Sequence, residues 1–227
     1  MITFDEQQRV FHLKNKEISY LFSVEEGNIL SHLYFGPAIR NYHGERRYPR
    51  VDRGFSGNLP GSMDRTYSKD DLLQEYSGNN TGDYRVPAII IKTENGSRLT
   101  DFRYKSYKIL PGKPKLAGLP ASYVKSDKEA ETLEVTLVDE TIGAQLILSY
   151  TIYNERPVIT RNARLVNTSN QELRIEKIAS VQLDLTKHDY DVISVPGQYA
   201  LERQPERQEL RRGITEFSSR RNSSSHH

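Results

Sequence analysis

Two aspartates that stand beside arginines are the residues best suited to chemistry in this 227-residue chain. Asp52 lies in "RVDRGF" and Asp64 in "SMDRTY". Paired carboxylates can act as acid and base on a glycosidic bond when a rigid scaffold holds them roughly 5–10 Å apart. A neighbouring arginine instead keeps a carboxylate ionised and oriented as an acceptor for hydroxyl groups. Because both aspartates lie in irregular sequence, the pattern favours recognition of a hydroxyl-rich ligand such as a sugar.

The irregular region runs from Arg40 to Gly82 and is rich in Gly, Pro, Arg, Asp and Tyr. Structureless loops of such length are uncommon in compact domains and usually indicate function or disorder. Aromatic residues, which disordered segments mostly lack, recur along it: Tyr42, Tyr48, Phe55, Tyr67 and Tyr76. Two interpretations stay open. The region is either an excursion packed on its own domain or a segment that builds a site or an interface.

One short helix is predicted in this region, in "SKDDLLQEY" from Ser68 to Tyr76. Ser68 suits the N-cap, and Asp70 and Asp71 suit the positive end of the helix dipole. On this interpretation Lys69 belongs to a solvated first turn without a chemical role.

Other chemical motifs are missing from the sequence. There is no Gly-x-Ser-x-Gly, no phosphate-binding glycine loop and no cysteine, so serine nucleophiles, disulfides and thiolate metal sites are not expected. His12 and His32 lie in predicted strands, where a packing or surface role is expected rather than that of a ligand. The adjacent His226 and His227 would need further ligands to hold an ion. We predict no cofactor and no metal site.

Charge and hydropathy exclude further classes of partner. With 32 Lys and Arg against 30 Asp and Glu, binding of nucleic acid by bulk charge is not expected. The basic run from Arg211 to Arg221 is balanced by nearby glutamates and predicts a solvated or inter-domain surface. The N-terminus lacks a signal-peptide pattern, and apolar runs such as Ala88 to Ile91 are too short to span a bilayer. We predict a cytoplasmic protein without nucleic-acid or membrane partners.

Alternation of apolar and polar residues is the dominant pattern, which is typical of strands with one buried face. "TLEVTLVD" from Thr132 and "TIGAQLILSYTIY" from Thr141 show it best. Further candidate strands cover 17–24, 28–35, 86–93, 102–110, 158–167, 172–185 and 190–195. Asn95-Gly96 between two apolar runs predicts a hairpin. About ten strands and almost no helix predict an all-β fold, a large antiparallel β-sandwich with one long irregular loop that carries a short helix.

Several long segments without shared compositional bias carry a resemblance to a known family: "YPRVDRGFSGN", "DRTYSKDDLLQEY", "GDYRVPA", "PGQYALER" and "SSRRNSSSHH". Together they resemble the N-terminal portion of bacterial α-galactosidases of glycoside hydrolase family 36. The resemblance runs from near residue 10 to the last residue.

The resemblance implies a large N-terminal β-supersandwich, which in such enzymes precedes a (β/α)8 barrel with both catalytic aspartates. Residues 1–227 are then one supersandwich domain, incomplete at its C-terminal end, and contain no catalytic residue. The implied activity is retaining hydrolysis of terminal α-linked galactose, as in melibiose and raffinose. The implied partners are the α-galactoside substrate, the chain's own barrel domain and the other subunits of a homotetramer.

Two substrate-binding residues are implied by the same resemblance. Asp52 matches an aspartate of the "PR-x-DR" segment that reaches the galactose pocket. Tyr199, in "PGQYALE", stands where the family has a pocket tryptophan, which is a departure from the family pattern. Tyrosine keeps an aromatic face but covers less area than indole. Arg53 and Arg65 are assigned to orienting the loop or to subunit contacts.

Two alternatives to an α-galactosidase domain stay open. One is a free-standing carbohydrate-binding β-sandwich without catalysis, and the other is a purely structural assembly domain. The last ten residues, "SSRRNSSSHH", read alone resemble a serine-rich tail or a tag. Beside the family they resemble an internal segment that continues into further strands. The α-galactosidase interpretation is favoured because the resemblance includes loops as well as strands.

Overall fold

Twelve strands form in the part of the chain that the computed structural model describes, which is residues 1–44, 50–52, 54–55, 57–59, 61–79, 82–118, 121–185 and 189–218. They are β1 (Ile2–Asp5), β2 (Val10–Lys14), β3 (Ile18–Val24), β4 (Leu30–Pro37), β5 (Ile89–Thr93), β6 (Arg103–Pro111), β7 (Ala130–Asp139), β8 (Ala144–Tyr153), β9 (Ile159–Asn167), β10 (Leu173–Ile178), β11 (Asp191–Ser194) and β12 (Glu206–Glu209). Predictions that fall on Tyr48, Arg53, Arg221, His226 and His227 lie outside the described residues. The chain divides into two compact units, residues 1–184 and 185–227.

The first unit contains two four-stranded antiparallel sheets, in the orders β1-β2-β3-β4 and β6-β7-β8-β9. Their apolar faces share one core, because alternate residues of each strand point to the same side. The rings of Phe11 and Phe22 stack with centroids 4.9 Å apart, and Phe22 stacks on Tyr150 at 5.0 Å. These contacts join β2 and β3 to β8 across the two layers. The all-β antiparallel sandwich predicted from the alternation is therefore confirmed.

A separate antiparallel pair of strands, β5 with β10, completes the sheets of the first unit. The turn predicted at Asn95-Gly96 is present, since Gly96 has a φ of 86° and its N–H donates to the Thr93 carbonyl at 2.9 Å. The hairpin predicted around it is wrong. β6, the next strand, pairs with β7, and β5 takes its partner from much later in the chain.

Helical structure in the described residues is limited to three 3-10 turns, Glu26–Asn28, Lys69–Asp71 and Asp127–Glu129. The helix predicted from Ser68 to Tyr76 is reduced to the second of these. The residues that follow it return to the sheet, where the His32 N–H donates to the Leu73 carbonyl at 2.6 Å and Gln74 forms a β-bridge with Ser31. Pairing with β4 thus replaces the remaining helical turns.

The second unit contains the antiparallel ribbon of β11 and β12, paired from Asp191 with Glu209 to Ser194 with Glu206. Its described residues are exposed or half-buried. No helix of the described residues is long and apolar enough to cross a membrane.

Candidate functional site

Asp52 lies on the surface of the first unit, where Arg65 fixes its carboxylate. Arg65 Nε is 3.1 Å from Asp52 Oδ1, and the two side chains are 57% and 62% exposed. From the sequence, both Arg53, the next residue, and Arg65 were expected to orient the loop or to make subunit contacts. The structure shows that Arg65, from a later segment of the loop, supplies an ion pair. A carboxylate oriented by an arginine and open to solvent is suited to accept hydrogen bonds from a ligand.

A second ion pair joins the same two segments, and here the arginine comes from the first segment and the aspartate from the second. Arg50 Nη1 donates to Asp64 Oδ2 at 3.0 Å, and its Nη2 donates to Glu26 Oε2 at 3.2 Å. The guanidinium carbon also lies 4.4 Å from the centroid of the Tyr67 ring, within the range of a cation–π contact. We call the pairs Arg50–Asp64 and Arg65–Asp52 the arginine clasp. It ties residues 50–52 to residues 64–65.

The environment of Asp64 opposes a role as a general acid. Its Oδ1 accepts hydrogen bonds from the Thr66 hydroxyl at 2.6 Å and from the Thr66 N–H at 2.8 Å. These two bonds, and then the charge of Arg50, hold the pKa of Asp64 below its usual value. A glycosidase acid needs a raised pKa. The clasp therefore fits ligand recognition, and it does not fit an acid–base pair.

A small apolar cluster anchors the loop that carries the clasp. Ile29, Leu59, Tyr67 and Leu72 pack together, and Tyr67 is 1% exposed. The Ser68 hydroxyl donates to the Gly57 carbonyl at 2.8 Å within the same loop. The described residues between 57 and 72 are thus packed on their own domain, which was one of the two interpretations open from the sequence. The other interpretation, a segment that builds a site, stays a prediction.

A buried network of charged and polar side chains lies near the C-terminal end of the irregular region. Glu75 is 0% exposed, and its Oε1 is 2.9 Å from Arg161 Nη2. The same oxygen accepts from the Tyr20 hydroxyl at 2.5 Å, while Oε2 lies 3.3 Å from His32 Nδ1. The Arg161 guanidinium carbon lies 4.7 Å from the centroid of the Tyr150 ring. We call these five residues the Glu75 network. It connects the loop to β3, β4, β8 and β9.

Titration of the Glu75 network is set by burial and by one guanidinium. Burial acts to raise the pKa of Glu75, but Arg161 and then His32 bring it below its usual value. Burial, and then the charge of Glu75, raise the pKa of the Tyr20 and Tyr150 hydroxyls well above the usual value. Since the tyrosines stay protonated, the buried carboxylate and the buried guanidinium balance each other. The predicted packing role of His32 is confirmed here.

Lys69 is also buried, so the solvated first turn predicted for it is wrong. Its side chain is 8% exposed, and Nζ lies 3.0 Å from Asp101 Oδ1. Burial lowers the pKa of Lys69, and the charge of Asp101 offsets part of that effect. Neither this pair nor the Glu75 network was expected from the sequence. The partners are remote along the chain, and alternation alone does not indicate which polar residues pair inside a core.

Tyr199, the second predicted site residue, lies in a tight turn of the second unit. The Gln198 and Leu201 backbones exchange hydrogen bonds of 3.3 and 2.8 Å, with Tyr199 and Ala200 between them. Ala200 has a φ of 63° and its N–H donates to Glu202 Oε1 at 3.1 Å. The Tyr199 side chain is 86% exposed. An exposed ring at a turn tip can stack on a ligand, as the sequence suggested.

No group of three or more His, Asp or Glu side chains in the described part of the chain is placed to hold a metal ion. The candidate site residues are carboxylates paired with arginines, among them the exposed Asp52, and the exposed ring of Tyr199. Their chemistry is that of recognition by hydrogen bonding and ring stacking.

The sequence of this chain matches the model of a known protein family. The glycosyl hydrolase family 36 N-terminal domain matches residues 28–227. Alpha-galactosidase 1 of Pediococcus pentosaceus is 50% identical over 226 residues, which are 100% of this chain and 31% of that protein. The chain therefore spans about a third of the length of this curated relative.

Solved structures give the same result in three dimensions. The GH36 alpha-galactosidase AgaB from Geobacillus stearothermophilus is similar with a TM-score of 0.93 and 42% identity, over 100% of this chain and 31% of that one. A substituted form of AgaA from the same organism, in complex with raffinose, has a TM-score of 0.91 and 45% identity. The match covers 96% of this chain and 30% of the chain in that structure.

Proposed function

The chain belongs to the family of glycosyl hydrolase family 36 N-terminal domains, and on this premise we propose that it is the non-catalytic N-terminal part of an α-galactosidase. The observation that carries the proposal is 50% identity to an alpha-galactosidase over the whole chain, which matches less than a third of that protein. Residues 1–227 then form one supersandwich domain. The catalytic carboxylates lie in a barrel domain outside these residues, and that barrel is the chain's first partner.

The proposed reaction is hydrolysis of terminal α-linked galactose from raffinose- or melibiose-type galactosides, with retention of configuration. Its support is the family membership and the raffinose complex of a similar protein. A retaining enzyme uses one carboxylate as nucleophile and a second as acid and base. The described residues offer the arginine clasp instead, in which Asp64 has a lowered pKa. The clasp therefore serves binding in this proposal.

Asp52 is proposed as an acceptor for substrate hydroxyls, and Tyr199 as a ring that stacks on substrate. The exposed carboxylate of Asp52 and its ion pair with Arg65 support the first assignment. The exposed ring of Tyr199 supports the second. The two residues belong to different units, and each assignment stands by itself. A cytoplasmic homotetramer, to which the long loop contributes contacts, completes the proposal.

Hydrolysis assays on two lengths of protein test this function. A gene product that continues past residue 227 into the barrel is expected to release galactose from raffinose, and residues 1–227 alone are expected to release none. Proton NMR of the first-formed sugar is expected to show the α-anomer, because retention preserves the configuration. Turnover by residues 1–227, or no turnover by the longer product, would contradict the proposal. Saturable galactose binding to Asp52 in the chain alone would favour a free-standing carbohydrate-binding sandwich.

A further inference from the structure

A cleft of about 370 Å³ opens on the first unit between residues 122–129 and the turn that connects β8 to β9. Tyr123, Lys125, Glu129, Tyr153 and Arg156 contribute to its walls. The volume falls within the range of about 300–1,000 Å³ that is typical of small-molecule sites. None of these residues belongs to the arginine clasp or to the turn of Tyr199.

The backbone around the cleft is held by the side chains of two asparagines from different parts of the unit. Asn15 Nδ2 donates to the carbonyls of Tyr153 and Arg156, at 2.8 and 2.7 Å. Asn154 Nδ2 donates to the Lys128 carbonyl at 2.7 Å, and this bond joins the two walls. Since both walls are tied to each other, the concave shape is formed without a ligand.

Two tyrosines, Tyr123 and Tyr153, line this cleft, and their surroundings differ from those of the aromatic rings in the core. Core rings such as Phe11 and Phe22 pack against one another. Tyr123 is 73% exposed, and among the described residues it contacts no other ring or cation. The Tyr153 hydroxyl donates to Ser122 Oγ at 3.0 Å, which fixes the direction of its ring. An apolar ring face beside polar groups is the surface on which the C–H face of a pyranose packs.

The charged groups of the cleft suit hydroxyl groups better than ions. Lys125 and Arg156 supply donors, and the Glu129 carboxylate supplies acceptors. Glu129 Oε1 accepts from the Lys125 N–H at 3.2 Å, so the carboxylate is directed by the backbone. A hydroxyl both donates and accepts and can use all three groups, whereas an anion could bond only to Lys125 and Arg156 and a cation only to Glu129. We propose that this cleft binds a neutral saccharide, with Tyr123 as the stacking platform.

NMR titration of isotope-labelled residues 1–227 with raffinose tests the proposal. Saturable chemical-shift changes are expected in residues 122–129 and 153–158. Tyr123→Ala is expected to weaken binding about fivefold, in line with the energy of a ring contact. Tyr84→Ala is the matched control, because Tyr84 is 85% exposed and lies outside the cleft. It is expected to leave the affinity unchanged.

Three results would overturn the proposal. They are no saturable change at these residues, an unchanged affinity in Tyr123→Ala, and changes at the cleft with inorganic phosphate but not with raffinose. Because Tyr123 is exposed, its replacement should preserve the fold, and the amide spectrum of the variant verifies this. Arg156→Met is a second variant that removes a donor and keeps the carbonyl bonded to Asn15; its expected effect is weaker raffinose binding. The hydrolysis assays do not involve Tyr123, so this proposal and the proposed function fail separately.

Discussion

Two pairs of carboxylate and arginine lie toward opposite ends of the same long loop, and they differ in burial. In the Glu75 network the carboxylate is 0% exposed and Arg161 is 9% exposed. In the arginine clasp, Asp52 and Arg65 are each more than half exposed. A buried pair that loses one partner leaves an uncompensated charge in the core. An exposed pair is screened by water and contributes little to stability. The first pair therefore determines where the loop sits, and the second leaves a carboxylate available to a ligand.

The largest expected effect is the loss of the buried guanidinium. Arg161→Met is expected to lower the free energy of unfolding of residues 1–227 by about 3–5 kcal/mol, because Glu75 then stays buried without its counter-charge. Urea denaturation measures this change. Arg98→Met is the control, since Arg98 and its partner Glu176 are far more exposed, and its expected cost is below about 1 kcal/mol. Equal costs for the two variants would remove the contrast between buried and exposed pairs.

His12 extends the comparison to a buried group that has no carboxylate partner among the described residues. Burial, and then the charge of Lys14, lower the pKa of His12 from 6.5 to about 4. Between these values the unfolded chain binds a proton that the folded chain excludes, so stability is expected to fall as the pH decreases from 6.5 to 4. His12→Gln is expected to flatten this part of the pH profile, measured by urea denaturation at several pH values. A pH profile of stability that is the same in His12→Gln and in the parent would contradict the assignment of this pH dependence to His12.

The exposed clasp is expected to affect binding more than folding. Arg65→Met should change the free energy of unfolding by less than about 1 kcal/mol. In the longer α-galactosidase it should raise KM several-fold, because Asp52 loses the group that orients it. Arg65→Lys keeps the charge and is expected to restore part of the loss. A large fall in stability together with an unchanged KM would show that Arg65 is a structural residue.

The smallest expected effect is at Tyr199. Tyr199→Ala in the longer enzyme should lower kcat/KM about two- to tenfold, which is the scale of one ring contact. Tyr199→Phe keeps the ring and is expected to lie close to the parent. A loss of kcat/KM in Tyr199→Phe equal to that in Tyr199→Ala would assign the effect to the hydroxyl, and no loss in either variant would show that the ring does not bind substrate. Both results would contradict the stacking role.

Prediction of the fold from sequence succeeded where one face of a strand is buried. β7 alternates from Leu133 to Asp139 and β8 from Ala144 to Tyr150, and the pattern located both. The strand that contains His12, β2, was given no bounds from the sequence, because it is buried on both sides and shows no alternation. Val10 packs with Leu21 and Leu33 on one side, against Ile39 and Tyr42 of the following loop.

Prediction of the candidate site was partial for a different reason. Asp52 was predicted as an oriented acceptor, and the structure shows its ion pair with Arg65, while its contact with a ligand stays a prediction. The Glu75 network was not foreseen, because its members come from four strands and one loop. Local sequence indicates which residues are charged, but the pairing depends on how the two sheets meet. The saccharide cleft likewise depends on turns that meet only in the folded chain.

The central claim is that an exposed, arginine-held carboxylate binds the substrate, and Asp52→Ala tests it most directly. In the longer α-galactosidase, kcat/KM for raffinose is expected to fall about 10- to 150-fold, equivalent to about 1.5–3 kcal/mol for a lost charged hydrogen bond. Glu140→Ala, which removes an exposed carboxylate in the turn between β7 and β8, is expected to leave kcat/KM unchanged. A value of kcat/KM in Asp52→Ala equal to that of the parent would contradict the account.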